Sequence, residues 1–400
     1  MKKRRIAFLV SHPIQYLSPF FKKLAGHPGI DLTVIYCSDE SAGGLYDREF
    51  RVKLKWDIPM LEGYDHKFLK NYSPRPTFYK APSGLINIGI IGELWNNRYD
   101  AVIIHGWHYV TFWLAYLAAF YLKIPVFLHS ENPYNQEIKK ARPKILIKKI
   151  VLGSLFKHIA GFLAIGTENR RFYEFYGVKD DKIFFTPYAV DNARFISERN
   201  SNLSKKGEFR KEMGIQDAGT VIMFSGKLIT KKRPMDLLRA YEVVDSPDKA
   251  LVFVGAGQLR NEMERYIAER KIKNVTFTGF KNQTELYRYY IAADIFVLPS
   301  TFGETWGVVV NEAMCFGLPV IVSDLVGCGG DLVKHGENGY IFDTGDIITL
   351  ARYLKILIDD KDARERFGRS SLNIISTWNY EKDIEGVVDA ISGRRGCDDR

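Results

Sequence analysis

Glu304 and Glu312 stand eight positions apart in GETWGVVVNEAM, with a glycine and three valines between them. Carboxylates are strong acceptors, and sugars present hydroxyl donors to such groups. A ribose offers two adjacent hydroxyls that one carboxylate can hold as a fork. The pattern over 307–316 predicts a helix that ends at Gly317-Leu318-Pro319. Its start, at Trp306, Gly307 and Val308, would carry free N–H groups and the positive end of the helix dipole. A phosphate suits that position, with a sugar at Glu304 and a ribose at Glu312. The Val308, Val309 and Ala313 side is expected to pack on a sheet. The plainer alternatives are an exposed helical Glu312 and a Glu304 favoured only by the dipole.

Cations precede this stretch. In FSGKLITKKRPMDLL a strand ends at Ser225, Gly226 makes the turn, and Lys227, Lys231, Lys232 and Arg233 come before Pro234. Proline is suited to the first position of a helix. Four cations at a strand end beside a helix start favour a polyanion such as a diphosphate, the alternative being a solvated basic turn. VGAGQLR has two glycines after a strand but no third, so it is weak as a dinucleotide motif and indicates a close backbone approach. Phe280, after Thr278-Gly279, is either a surface for a nucleobase or a core residue.

The elements that would position these groups are short apolar runs alternating with helical patterns. In the first half the runs are 5–10, 32–36, 101–105, 125–129 and 161–165; in the second they are 221–225, 250–254, 275–278, 294–299, 319–323 and 340–342. Runs apolar on both faces belong inside parallel sheets covered by helices. Two series imply two doubly wound α/β domains, with ligands at the C-terminal strand ends. The expected division is 1–195, a polar linker and leading helix over 196–219, and 220–375, with a helix at 376–392 returning to the first domain. The tail GRRGCDDR reads as frayed.

Composition is that of a globular chain: 400 residues, 46% hydrophobic and 26% charged. The net charge of +10 suits anionic small molecules or lipid, and no nucleic-acid-binding motif accompanies it. Cys37, Cys315, Cys328 and Cys397 have neither metal-ligand nor redox spacing and read as free thiols in a reducing compartment. The opening MKKRRIAFLV meets SHP too soon for a signal peptide, and the apolar stretch 111–122 is too short for a bilayer and reads as a buried helix. A cytoplasmic, at most peripheral, protein is expected. The basic and apolar stretch 137–158 carries Lys140, Lys144 and Lys148 as a stripe for anionic lipid, though its apolar residues lie on every face and imply burial of much of it.

Seven of the eight histidines precede residue 160. His129 closes one strand in IPVFLHSENP, followed by Glu131; His105 and His108 close the strand before it, beside Trp107. Strand-end histidines are more often structural, but two clusters at adjacent strand ends suggest function.

Taken together, SGKL…KKRP, VGAGQLR, FTGF…ELYRYYIAADIFVLPS, the paired glutamates of FGETWGVVVNEAMCFGLPVIVSD, and HGENGYIF resemble the retaining GT-B glycosyltransferases of family four over 186–390. The resemblance implies two Rossmann-like domains facing across a cleft. It implies transfer of a hexosyl or related sugar from a nucleotide-diphosphate sugar to a glycan or lipid-linked acceptor, with retention, in polysaccharide or glycolipid synthesis. By position, Lys227 and Lys232 correspond to the diphosphate cations, with Gly226, Trp306, Gly307 and Val308 around the phosphates. Glu304 corresponds to the donor-sugar acceptor, Glu312 to the ribose acceptor, and His129 to the strand-end histidine facing the reacting sugar. His129, Glu304 and Lys232 are then the catalytic set, and no metal or other cofactor is expected. The chain departs from the family in having SHPIQYLSP where many relatives carry a Gly-rich loop, so His12, Gln15 and Tyr16, with His108 and Glu131, are candidates for the acceptor. Lys227 stands where many relatives have Arg, which keeps the charge and loses the fork. The rival readings are a nucleotide-sugar epimerase of the same architecture and a non-catalytic binder of sugar nucleotides or glycans.

Overall fold

The computed structural model describes residues 3–47, 49–50, 52–215 and 219–393. Cys397 and the tail 394–400 lie outside the described residues. Fifteen strands are present among them: β1 Arg4–Val10, β2 Ile30–Tyr36, β3 Leu45–Asp47, β4 Val52–Leu54, β5 Asp65–Phe68, β6 Ala101–His105, β7 Val126–Ser130, β8 Gly161–Ala164, β9 Ile183–Phe185, β10 Thr220–Ser225, β11 Lys249–Val254, β12 Val275–Gly279, β13 Ile295–Leu298, β14 Val320–Ser323 and β15 Gly339–Phe342. The chain divides into two units. One lies within Met1–Leu45, Leu54–Tyr188 and Tyr380–Arg400; the other comprises Tyr46–Lys53 and Ala189–Asn379.

The first unit is built on a parallel sheet of order β5-β2-β1-β6-β7-β8-β9. Ile6–Val10 of β1 are entirely buried, as a central strand covered on both faces requires. The order reverses between β1 and β6, the kind of point at which open parallel sheets bind ligands beyond their strand ends. Helices Gly89–Asn97, Val110–Tyr121, Arg142–Phe156 and Thr167–Phe175 share one core with this sheet. The last helix, Tyr380–Ser392, also belongs to this unit: Tyr380 Oη donates to the Tyr16 carbonyl at 2.8 Å, and Ile384, Val387 and Ile391 are buried. Gly386 makes the approach possible, since a Cβ there would lie 1.9 Å from the Phe185 carbonyl oxygen.

Two helices differ from their sequence reading. Val110–Tyr121 buries Phe112, Ala115, Tyr116 and Ala119 but exposes Leu117, Phe120 and Tyr121. Arg142–Phe156 buries only Leu152 and Phe156, and exposes Leu146, Ile147, Ile150 and Val151. Its apolar residues outnumber the positions one helix can turn toward a sheet, so most of them face outward.

The second unit has a parallel sheet of order β12-β11-β10-β13-β14-β15, reversing between β10 and β13. Every residue of β10 and β11 is buried. Residues 196–215, read as linker and leading helix, form helices Asn192–Asn202 and Lys206–Glu212 instead, both packed on helix Leu286–Ala292 of this unit. Asp191 caps the first of them, its side chain accepting the Arg194 N–H at 3.2 Å. The pair β3–β4 lies at the junction of the two stretches assigned to different units, and Tyr46–Lys53 groups with the second.

Candidate functional site

The second unit gathers its candidates at the reversal point. Beyond β10 comes the turn at Gly226, then Lys227, and then a short 3-10 turn Thr230–Lys232 leading into helix Pro234–Val243. Beyond β13 comes the loop 299–307 and helix Val308–Cys315. The two loops are joined. The Thr301 N–H donates to the Lys231 carbonyl at 2.8 Å, and Lys231 Nζ donates to the Gly303 carbonyl at 3.1 Å. Lys232 Nζ makes an ion pair with Glu304. Burial alone would raise the Glu304 carboxyl, but Lys232 and Lys231 outweigh it and hold it below the usual range.

Glu304 is 7% exposed, so it is not a surface acid at a helix start. Gly307 precedes the helix with φ 98°, a left-handed conformation natural to glycine, and Leu298 and Val326 crowd the place of a Cβ. Trp306 is buried: its indole N–H donates to Asn311 Oδ1 at 2.9 Å and its ring lies 5.3 Å from that of Trp378. The face packed inward is Val310, Ala313 and Met314, while Val308 and Val309 are half-buried; the expected Val308/Val309 face is thus rotated toward Val310.

Glu312 is also buried, and Tyr290 Oη donates to its Oε2 at 2.7 Å. Burial pushes this carboxyl above its usual range, with Tyr290, Arg194 and Gln283 pulling the other way. Arg194 in turn donates to Gln283 Oε1 at 2.7 Å. Both glutamates therefore sit in prepared positions, one charged by a lysine and one next to a phenol. Phe280 is half-buried and meets the edge of Phe50 at 5.3 Å. At the end of β11, a Cβ on Gly255 would lie 1.9 Å from the Gly226 carbonyl oxygen, so this glycine serves the close approach of two strand ends.

Lys227 is the least expected. Its Nζ donates to Asp47 Oδ2 at 3.0 Å and to Glu49 Oε2 at 2.6 Å, and stands 5.0 Å from the centre of the Phe50 ring. Arg233 pairs with Asp236. Sequence reasoning missed Asp47 and Glu49 because about 180 positions separate them from Lys227 and no local pattern points to them.

The first unit gathers a second group at its own reversal point. His129, 5% exposed, stacks on His105 with ring centres 5.0 Å apart. His105 Nε2 lies 3.2 Å from Glu131 Oε1, and Tyr188 Oη donates to the same carboxylate. Burial opposes the charge on Glu131, but His105, Tyr188 and His129 hold its carboxyl down at about 2. Burial, reinforced by His105, lowers His129 to about 3, so its imidazole is neutral at physiological pH. His129 Nδ1 is buried with no hydrogen-bond partner among the described residues. His12 stacks on Phe78 at 3.7 Å, its Nδ1 2.8 Å from Ser11 Oγ, and burial lowers it to about 3. Tyr16 meets the edge of Tyr188 at 5.4 Å. Gln15 is half-buried, and His108 is exposed with its ring stacked on Trp107. His105, given no role from sequence, emerges as the link between His129 and Glu131; its place at the end of β6, beside β7, was the available signal.

The stretch 137–158 is less cationic outward than its sequence suggests. Glu137, 1% exposed, accepts from Lys140 and Lys148 and from Tyr176 Oη. Two of the three stripe lysines are therefore engaged internally.

Two doubly wound parallel-sheet units, each with its candidates at the reversal of strand order, define a GT-B protein. Residues 205–373 match the family model described as Glycosyl transferases group 1. The chain is 34% identical over 142 residues to an uncharacterized glycosyltransferase of Methanocaldococcus jannaschii, covering 35% of this chain and 36% of the relative. It is 26% identical over 311 residues to the Escherichia coli UDP-Gal:alpha-D-GlcNAc-diphosphoundecaprenol alpha-1,3-galactosyltransferase, covering 76% of this chain and 77% of that one. Among solved structures it is similar to Anabaena Alr3699/HepE in complex with UDP, with a TM-score of 0.74, 17% identity, and 98% and 100% of the two chains covered.

Proposed function

We propose that this chain is a glycosyltransferase that moves a sugar from a nucleotide-diphosphate donor to a glycan or lipid-linked acceptor with retention of configuration. The observation that carries the reading is the buried Lys232–Glu304 pair at the reversal point of the second sheet. A cation there meets the charge that develops on a leaving nucleoside diphosphate, and the start of helix Val308–Cys315 adds its dipole. Glu304 accepts hydroxyls of the donor sugar, and Glu312 those of the ribose. Gly226 lets the chain pass close to the phosphates, and Phe280 lies beside the base. Protein cations alone meet the diphosphate charge, so no metal takes part. On the retaining route the sugar departs as an oxocarbenium-like ion pair. A leaving phosphate oxygen then takes the proton of the attacking acceptor hydroxyl on the same face.

In this reading the acceptor is taken by the strand ends of the first unit. His129 offers a neutral imidazole to a sugar hydroxyl, and Glu131, anchored by His105 and Tyr188, remains an anionic acceptor. His12, Gln15, Tyr16 and His108 flank that group on the loops after β1 and β6. The E. coli and Anabaena relatives, by their names, use or bind UDP compounds, which favours UDP among the nucleotides to try first.

A lipid-linked acceptor accords with the outward face of the first unit. Leu117, Phe120, Tyr121, Leu146, Ile147 and Ile150 are all exposed. The two helices that carry them contain no Asp or Glu, and they carry Arg142, Lys144 and Lys149 besides Lys148, which is paired with Glu137. An apolar face with a one-sided charge suits an anionic bilayer surface better than a second copy, which would oppose like charges. Among the described residues no helix is long and apolar enough to cross a membrane.

The deciding experiment measures acceptor-dependent release of nucleoside diphosphate from a panel of nucleotide sugars. Wild type is compared with Glu304→Gln, Glu312→Gln and Lys232→Ala. Loss of turnover in folded variants is expected. Near-normal transfer by all three overturns the assignment, and conversion of the nucleotide sugar without any acceptor favours the epimerase reading.

A further inference from the structure

Each cation of the candidate diphosphate loop for which a carboxylate contact is described has one within the chain. Lys232 has Glu304 and Arg233 has Asp236, both local to the loops around β10 and β13. Lys227 differs, because its two carboxylates come from the separate segment Tyr46–Lys53. That segment is held in shape at this point. Asp47 is 6% exposed, and its Oδ1 accepts the backbone N–H groups of Glu49 and Phe50, each at 2.8 Å. Asp47 Oδ2 accepts from Lys227, Glu49 Oε2 accepts from the same amine, and the Phe50 ring lies near both Lys227 and Phe280. Two anionic groups thus sit on the cation assigned to phosphate, and an aromatic ring sits on the residue assigned to a base.

We infer that the side chains of Asp47, Glu49 and Phe50 are an internal occupant of the donor site, the two carboxylates standing where the diphosphate goes and the phenyl ring where the nucleobase goes. The inference rests on the donor-site reading above. A nucleotide must displace the two carboxylates from Lys227, since bringing a diphosphate to an amine already shared by two anions sets like charges against one another. These side chains therefore weaken binding of every nucleotide and discriminate against weakly charged anions.

The test is calorimetric titration of the full chain with UDP, GDP, ADP, CDP and dTDP, using wild type, the double variant Asp47→Asn/Glu49→Gln and Lys227→Ala. The amides retain size and the capping acceptor, so the local arrangement persists; matching thermal unfolding of the two chains checks this. The nucleotide that binds wild type is expected to bind the double variant about tenfold more tightly, with a larger loss on adding salt, because the site is then more positive. Binding seen only in the double variant supports the inference equally. Unchanged or weaker binding overturns it and makes the carboxylates supports that hold Lys227 in place. Lys227→Ala separates the two readings: if neither chain binds any of the five nucleotides, or if Lys227→Ala leaves binding intact, the donor-site reading falls and this inference with it.

Discussion

Lys232 and Glu304 form a buried ion pair that ties the loop after β10 to the loop after β13, the two strands between which the order of the second sheet reverses. Removing one partner leaves the other charged in a poorly solvated place. Lys232→Ala is expected to destabilise the chain by ~3–5 kcal/mol in urea unfolding. Lys355→Ala, which breaks the exposed pair with Asp359, is expected to change stability by less than ~1 kcal/mol. Lys232→Arg keeps the charge and should recover most of the stability.

Glu312→Gln tests the ribose assignment. The amide can still accept from Tyr290, so the fold should stand. Wild type should bind a nucleoside diphosphate more tightly than its 2′,3′-dideoxy analogue by about tenfold, the scale of a hydrogen bond to a charged group. In Glu312→Gln that preference should shrink to near unity. A preference equal to wild type would assign the ribose elsewhere.

Acid should unfold the first unit partly through Glu131. Its carboxyl lies at about 2 in the folded chain against 4.5 ordinarily, so the folded state favours the charged form. The resulting stability is present above pH ~4.5 and is lost as pH falls toward about 2. Glu131→Gln should be less stable than wild type at pH 7, by up to about 3 kcal/mol, and the gap should narrow to about half on titration to pH 3. Urea midpoints across that range measure it.

Because protein cations are assigned to the diphosphate, transfer should survive exhaustive chelation with EDTA. An activity lost to chelator and restored by a divalent cation would reassign the charge balance at the leaving group.

Sedimentation with vesicles examines the outward helices of the first unit. Vesicles containing anionic lipid should carry the protein down and neutral ones should not. Leu146→Ser/Ile150→Ser should lose most of that binding, and raised salt should weaken it, each free lysine near the surface contributing ~1 kcal/mol. Equal binding to neutral vesicles would point to the apolar face alone.

The sheets were legible because buried parallel strands leave short, doubly apolar runs, and every run of the second series falls on or beside a strand. Glu304, Glu312 and Lys232 stood out as candidates because turn, cation and proline lie together over 226–234 and the two acids lie eight positions apart. The buried state of the glutamates was not, since it depends on Tyr290 and Lys232 arriving from other elements. Apolar content misled in Arg142–Phe156: composition says how much could be buried, and only packing says which face is. Glu137 shows the same limit for charge, since its capture of Lys140 and Lys148 is invisible in a stripe of lysines.

Neither unit is one continuous stretch of chain, and this bears on how the protein comes into being. Tyr46–Lys53 is made well before the residues from Ala189 onward that it belongs with, and Tyr380–Ser392 closes a unit that contains the strand Arg4–Val10. At roughly 5–20 residues per second, synthesis delivers these partners many seconds apart. The strands before Tyr188 must wait for a helix that begins only at Tyr380, and contacts so distant in sequence form slowly once they can form at all. A gene cut between Tyr188 and Ala189 would thus yield two fragments that each lack a piece of their own fold, the first without the hydroxyl that Tyr380 gives to Tyr16 and the second without the carboxylates paired with Lys227.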